Sequence, residues 1–133
     1  MIVADTNLIV YLLVRGQFTE GAEAVYRNDP NWSAPLLWRS EFRNVLLLYL
    51  RRKLISMEEV FATMVQAERL MKGQEFEVES SHVLRLAAAS GCSAYDCEFV
   101  ALAQDLGVPM VTSDRALIAK FRPAVVSMGV FCS

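Results

Sequence analysis

The sequence predicts an α/β domain with a mostly parallel central sheet and helices on both faces. Three observations predict it. Short β-branched or apolar runs alternate with stretches of helical periodicity, most of the helical stretches carry recognisable caps or stops, and no low-complexity tract, repeat or linker interrupts the alternation. At 133 residues the chain has the size of one folding unit, so residues 1–133 are expected to form a single domain around one core.

Taken in order, Ile2 to Ala4 is a short strand, and Asn7 to Leu13 reads as a helix stopped near Gly16. Thr19 to Asn28 reads as a second helix with Thr19 as its cap, ended by Asn28 to Pro30; Trp32-Ser33-Ala34 is a weak strand. Pro35 to Lys53 is expected to be a long helix, opened by proline and closed by Arg51-Arg52-Lys53, whose charge suits the negative end of the helix dipole. Ser56 and Glu59 have the spacing of a capping box, leading a helix that runs to about Gly73 and forms a hairpin with the one before. Phe76 to Val78 is the next strand. Ser80 or Ser81 is expected to cap a helix ending at Gly91, and Ser93 or Ala94 to Leu106 a helix ending at Gly107. Val108 to Thr112 reads as a buried strand, Asp114 to Phe121 as a helix, and Val125-Val126 as the closing strand.

Composition narrows the function classes. Hydrophobic residues make up 54% of the chain, with a mean hydropathy of +0.30, so some apolar surface is expected to be covered by another subunit or partner. No apolar run approaches the roughly 18 residues of a membrane span; Leu46 to Leu50 is closed off by Arg51-Arg52-Lys53. Met1 to Asp5 lacks the basic and long apolar regions of a secretion signal, which leads to the expectation of a cytoplasmic protein. Cys92, Cys97 and Cys132 are odd in number, lack zinc-like spacing, and read as reduced thiols. A net charge of −2 does not announce a nucleic-acid binder, but an empty site that gathers carboxylates around a divalent cation is itself acidic.

The acids carry the chemistry. In open α/β sheets ligands sit at the carboxyl ends of the strands, and two such ends carry Asp5 and Asp114. Either alone reads more readily as the cap of the helix that follows than as a ligand. Two further acids fall on helical stripes: Glu41 shares a face with Leu37, Val45 and Leu48, and Asp96 with Cys92, Phe99, Val100 and Ala103. A carboxylate drawn inward without a partner costs several kcal/mol or takes up a proton, so these positions call for a cation or strong donors. Salt bridges to Arg39, Arg43 or Arg115 are one answer. A shared metal ion is the other, and it accounts for all four acids together; oxygen ligands without cysteine or histidine point to Mg²⁺ or Mn²⁺. The same three arginines, each close in sequence to a site acid, are candidates for contacts to substrate phosphate. Trp32 and Trp38 read as core or dimer packing, or as stacking surfaces for bases, and the lone His82 as a packing residue.

Four segments in order resemble the PIN-domain family over nearly the whole chain: Asp5-Thr6-Asn7, Ser40 to Leu46 around Glu41, Ala94 to Ala103 around Asp96, and Thr112-Ser113-Asp114-Arg115. Within it the sequence looks most like the ribonuclease toxins of VapBC toxin-antitoxin pairs. The resemblance implies a three-layer α/β/α domain whose four acids share one cleft, a metal-dependent endoribonuclease acting on an RNA substrate, a homodimer, and a cognate antitoxin protein that holds it inactive. It implies metal binding by Asp5, Asp96 and Asp114, a water or second ion oriented by Glu41, and supporting hydrogen bonds from Thr6, Asn7, Thr112 and Ser113, residues that also read as caps and turns. Three other readings stand beside it. A haloacid-dehalogenase-type phosphatase would want an acid where Asn7 stands; a nuclease of this fold acting on DNA and a non-catalytic binding module are the others.

Overall fold

Ile2, Val3 and Ala4 form β1 and are wholly buried, the signature of a central parallel strand covered on both faces. The computed structural model describes all residues from Met1 to Ser133. From β1 the chain runs through α1 (Thr6–Leu13), α2 (Thr19–Asn28), β2 (Trp32–Pro35), α3 (Trp38–Arg51), α4 (Met57–Leu70) and β3 (Glu75–Phe76). It continues through α5 (Ser80–Ser90), α6 (Ala94–Leu106), β4 (Met110–Val111), α7 (Arg115–Phe121), β5 (Val125–Val126) and α8 (Met128–Phe131). All four strand pairings are parallel, in the order β3-β2-β1-β4-β5. The expected sheet is therefore parallel throughout.

On one face α6 packs across β1, β2 and β4 with α5 beyond it; on the other, α1 contacts α2, α3 and α4, and α8 rests on α2. The result is a three-layer α/β/α architecture. Trp32, Trp38, Phe42 and Phe99 are its largest buried side chains, so neither tryptophan presents a face to a base. Each indole N–H is satisfied where it lies: Trp32 Nε1 donates to the Asp29 carbonyl at 2.8 Å, and Trp38 Nε1 to Glu75 Oε2 at 2.8 Å.

Several boundaries differ from the sequence reading. Pro35 belongs to β2 and does not open a helix; α3 begins three residues later, at Trp38. A proline at the end of a strand loses little, because the next amide, Leu36 N–H, takes up the bond to Phe76 O at 3.1 Å. Thr19 is the first residue of α2, and its hydroxyl ties the preceding loop by accepting from Gly16 N–H and donating to Val14 O. The cap position of α5 is Glu79, without a side-chain bond to the helix, and β3 lies at Glu75–Phe76 instead of Phe76–Val78. The capping box of Ser56 and Glu59 is present, as are left-handed terminations at Gly91 and Gly107. α8 was not expected; Ser127 caps it by accepting from Val130 N–H. His82 is a packing residue, bridging α5 to Gln104 and Asp105 of α6.

Arg39 grips Glu75 with two bonds, 2.5 Å from Nε and 2.8 Å from Nη2, and reaches Glu68 at 3.3 Å. These bonds hold the Glu75 carboxyl below the usual glutamate range. Glu75→Ala strips the partner from the fully buried Trp38 indole, and such a loss costs about 1–3 kcal/mol. Urea denaturation should show that loss, with any metal-dependent activity per folded molecule unchanged.

Candidate active site

The strand order places the site. The chain builds outward from β1 through β2 to β3, then returns to β1's other side for β4 and β5, so the direction of winding switches between β1 and β4. At such a switch the connections leave in opposite directions and open a crevice at the strands' carboxyl ends. Asp5 follows the last residue of β1, and Thr112, Ser113 and Asp114 follow β4.

Asp5, Glu41, Asp96 and Asp114 all line one cleft of about 460 Å³, with Thr6, Asn7, Asn44, Val45 and Ser113 completing its wall. Each acid arrives from a different element. Asp5 caps α1, its Oδ1 accepting from Thr6 N–H at 2.8 Å, while its Oδ2 accepts from the Thr112 hydroxyl at 2.5 Å. Thr112 in turn accepts from Asp114 N–H at 3.1 Å, so the loops after β1 and β4 are tied together beneath the cleft. Asp114 caps α7 through Oδ1, which accepts from Ala116 and Leu117 N–H. Glu41, in the first turn of α3, accepts from the Thr6 hydroxyl at 2.7 Å through Oε1. Asp96 sits in the first turn of α6, held there by Ser93, which accepts from its amide. Capping and site formation are thus one arrangement: each cap consumes part of a carboxylate and leaves other lone pairs for a ligand.

No arginine, lysine or histidine forms an ion pair with any of the four acids. Arg39 is turned toward Glu75 and Glu68, and neither Arg43 nor Arg115 is among the residues lining the cleft. The charges therefore act on one another. Burial, foremost, and the charges of Asp96 and Asp114 hold Asp5 above the ordinary aspartate range despite its bonds from Thr112 and Thr6. Burial likewise raises Glu41, with the charges of Asp5, Asp96 and Glu98 added; burial and the Asp114 charge raise Asp96. No three of these groups close on a single point as a preformed ligand set. Oxygen donors throughout, mutual repulsion and the lack of a protein cation all fit a divalent metal.

A model of the PIN domain matches residues 2–121. The chain belongs to the PIN-domain family. Among solved structures it is similar to the crystal structure of PAE2754 from Pyrobaculum aerophilum, with a TM-score of 0.70 and 20% identity, over 98% of this chain and 85% of that one. That likeness shows the fold. No curated protein matches the chain. PIN domains are typically nucleases that use divalent metals, so the fold is of nuclease type.

In this PIN domain, two residues near the acids escaped the sequence reading. Asn44 lines the cleft three residues after Glu41, and helical spacing alone would have found it. Tyr11 reaches Ser113 Oγ at 3.2 Å, a contact across 102 residues of sequence that no local pattern reveals.

The raised carboxyls make stability depend on pH. A group held above its unfolded value of 3.8 (Asp) or 4.5 (Glu) favours the folded state most fully below that value, and the benefit disappears as pH rises through the folded value. Metal-free protein should therefore gain stability from Asp5, Glu41 and Asp96 as pH falls from neutrality toward their unfolded values. Urea unfolding followed across that fall should show a smaller gain in Asp5→Asn, which retains only two of the three groups.

Proposed function

We propose that this PIN domain is an Mg²⁺- or Mn²⁺-dependent endoribonuclease and the toxin of a type II toxin-antitoxin pair. The observation that carries the catalytic part is the convergence of four carboxylates, without a protein counter-cation, on one cleft at the switch point of the sheet. Asp5 and Asp96, with Asp114, would hold the metal. A bound divalent ion supplies an acidified water, a polarised phosphoryl oxygen and charge for the leaving group.

The protein's own groups do the positioning. Bonds to both Asp5 oxygens, from Thr6 N–H and Thr112, fix the plane of that carboxylate before any ligand arrives. The Thr6 hydroxyl engages Glu41 Oε1 and leaves Oε2 as the acceptor that orients an attacking water. Burial, foremost, holds Glu41 above the ordinary glutamate range, the direction that makes its carboxylate a better acceptor for the proton of that water. Asn44 and Ser113 are neutral donors on the wall, placed to meet phosphate oxygens without neutralising the acids.

RNA as substrate, a homodimer and an antitoxin rest on the four-motif resemblance, and an exposed apolar row on α4, Met57, Phe61 and Val65, supplies surface for a protein partner. Single-stranded RNA, structured RNA and DNA of matching sequence, each offered with Mg²⁺, Mn²⁺ or EDTA, test the enzyme reading. Cleavage of RNA alone, with metal, is expected; equal cutting of DNA would move the substrate, and metal binding without cleavage of either would leave a binding module. Expression alone should arrest growth, and co-expression with the partner encoded beside it should restore growth; harmless expression of active protein would remove the toxin assignment.

A further inference from the structure

A second groove, of about 530 Å³, lies beside the acidic cleft, and its chemistry is the opposite. Tyr11, Phe18, Tyr49, Leu54 and Ile55 form its apolar walls, with Arg15 and Gln17 at its polar side. Tyr11 and Phe18 meet with ring centroids 4.9 Å apart, yet Phe18 remains 44% exposed, so the aromatic surface is only partly used by the fold. The Tyr11 hydroxyl joins Ser113 Oγ, which lines the acidic cleft; one residue pair therefore connects the two cavities.

One cation, Arg15, and no acid line the groove, whereas four acids and no cation line the cleft. The Arg15 side chain is 80% exposed and its nearest acid, Glu23, stands 3.8 Å away. Arg51 ends α3 and Arg52 and Lys53 follow it, all three exposed, and the next two residues are Leu54 and Ile55 of the groove wall. Aromatic faces bordered by cations are how proteins hold unpaired bases on a single strand: the bases stack and the backbone is neutralised. Gln17 is exposed and its amide has no partner in the fold, which leaves both its donor and its acceptor for a base edge.

We propose that this groove is a subsite for an unpaired RNA base flanking the phosphate to be cleaved, with the strand crossing from the acids over Ser113 and Tyr11 onto Phe18 and Tyr49. The proposal rests on the ribonuclease reading and deepens it, because the acidic cleft repels a polyanion and needs a neighbouring element to hold the strand. Continuity through Tyr11 and Ser113, together with the cationic border, favours a nucleic acid over an apolar protein segment as occupant.

The test is binding, so that it does not depend on cleavage. Fluorescence anisotropy of a labelled six-nucleotide single-stranded RNA, in low salt with EDTA, is measured for the intact protein, Phe18→Ala and Arg15→Glu. Both side chains are exposed, and circular dichroism checks that each variant is folded. Phe18→Ala should weaken binding by roughly 5- to 150-fold, the range for loss of one stacked base. That penalty should vanish when the RNA is abasic at one position. Arg15→Glu should weaken binding of intact and abasic RNA alike and flatten the salt dependence. Unchanged affinity in Phe18→Ala, or an equal loss against every abasic RNA, would overturn the subsite and leave the groove to a protein occupant. Failure of the intact protein to cleave RNA with metal, while the Phe18 penalty persists, would count against the nuclease reading alone.

Discussion

Asp5→Asn is expected to lower RNA cleavage by on the order of a thousandfold or more, and to leave the protein folded and at least as resistant to urea at pH 7. The two halves of this result have one cause. Asp5 is the most constrained acid of the cleft: both oxygens accept hydrogen bonds, and burial with the charges of Asp96 and Asp114 opposes its ionisation. Asparagine keeps an oxygen for Thr6 N–H, so the α1 cap survives, and its amide meets a Thr112 hydroxyl that can accept as well as donate. What disappears is the charge. Folding is relieved of a desolvated, repelled carboxylate, while a metal in the cleft would lose the proposed ligand that directly follows β1. Loss of outer partners around metal sites commonly costs about 10- to 100-fold, and loss of a ligand should exceed that. Initial rates at saturating Mn²⁺, paired with urea curves, check both halves; an unfolded variant, or one with near-normal rates, would separate Asp5 from the chemistry.

Chelation should bring cleavage to background, and returning Mn²⁺ should restore it while raising the melting temperature. Binding that favours the folded state contributes about 2.7 kcal/mol at a hundred times Kd. For a chain of this length that corresponds to roughly 10 °C in Tm. The increment should shrink sharply in Asp5→Asn and Asp96→Asn, because both variants remove charge from the cleft that the metal would neutralise. Equal shifts in all three proteins would place the responsible metal elsewhere. Arg39→Ala serves as a control, since its ion pairs lie with Glu75 and Glu68, away from the acids.

The acids were legible in the sequence because charge on an apolar stripe and acids at strand ends are local anomalies. Asp96 shows this plainly: its helix buries Phe99, Val100 and Ala103, and the acid stands partly buried at the same helix's first turn. Glu41 shows the limit of the method. The inward residues of α3 are Trp38, Phe42 and Leu46, whereas Leu48, expected beside Glu41 on the buried face, is 41% exposed. Glu41 therefore stands at the edge of the buried face, which is why it reaches the cleft. Long cations were not legible. Arg39 lies two residues from Glu41 in sequence, but its fork is taken by Glu75 on β3, a choice made by tertiary packing. Strands of two residues, such as β3 and β5, are too short to show alternation, and four-residue α8 is too short to show a helical period.

Anomalous diffraction from crystals soaked in Mn²⁺ tests the central proposition most directly. The account predicts manganese density in the cleft bounded by Asp5, Glu41, Asp96 and Asp114, with at least Asp5 and Asp96 as direct or water-bridged ligands. Manganese bound only at other carboxylates, or a cleft in which an arginine side chain neutralises these acids, would contradict it.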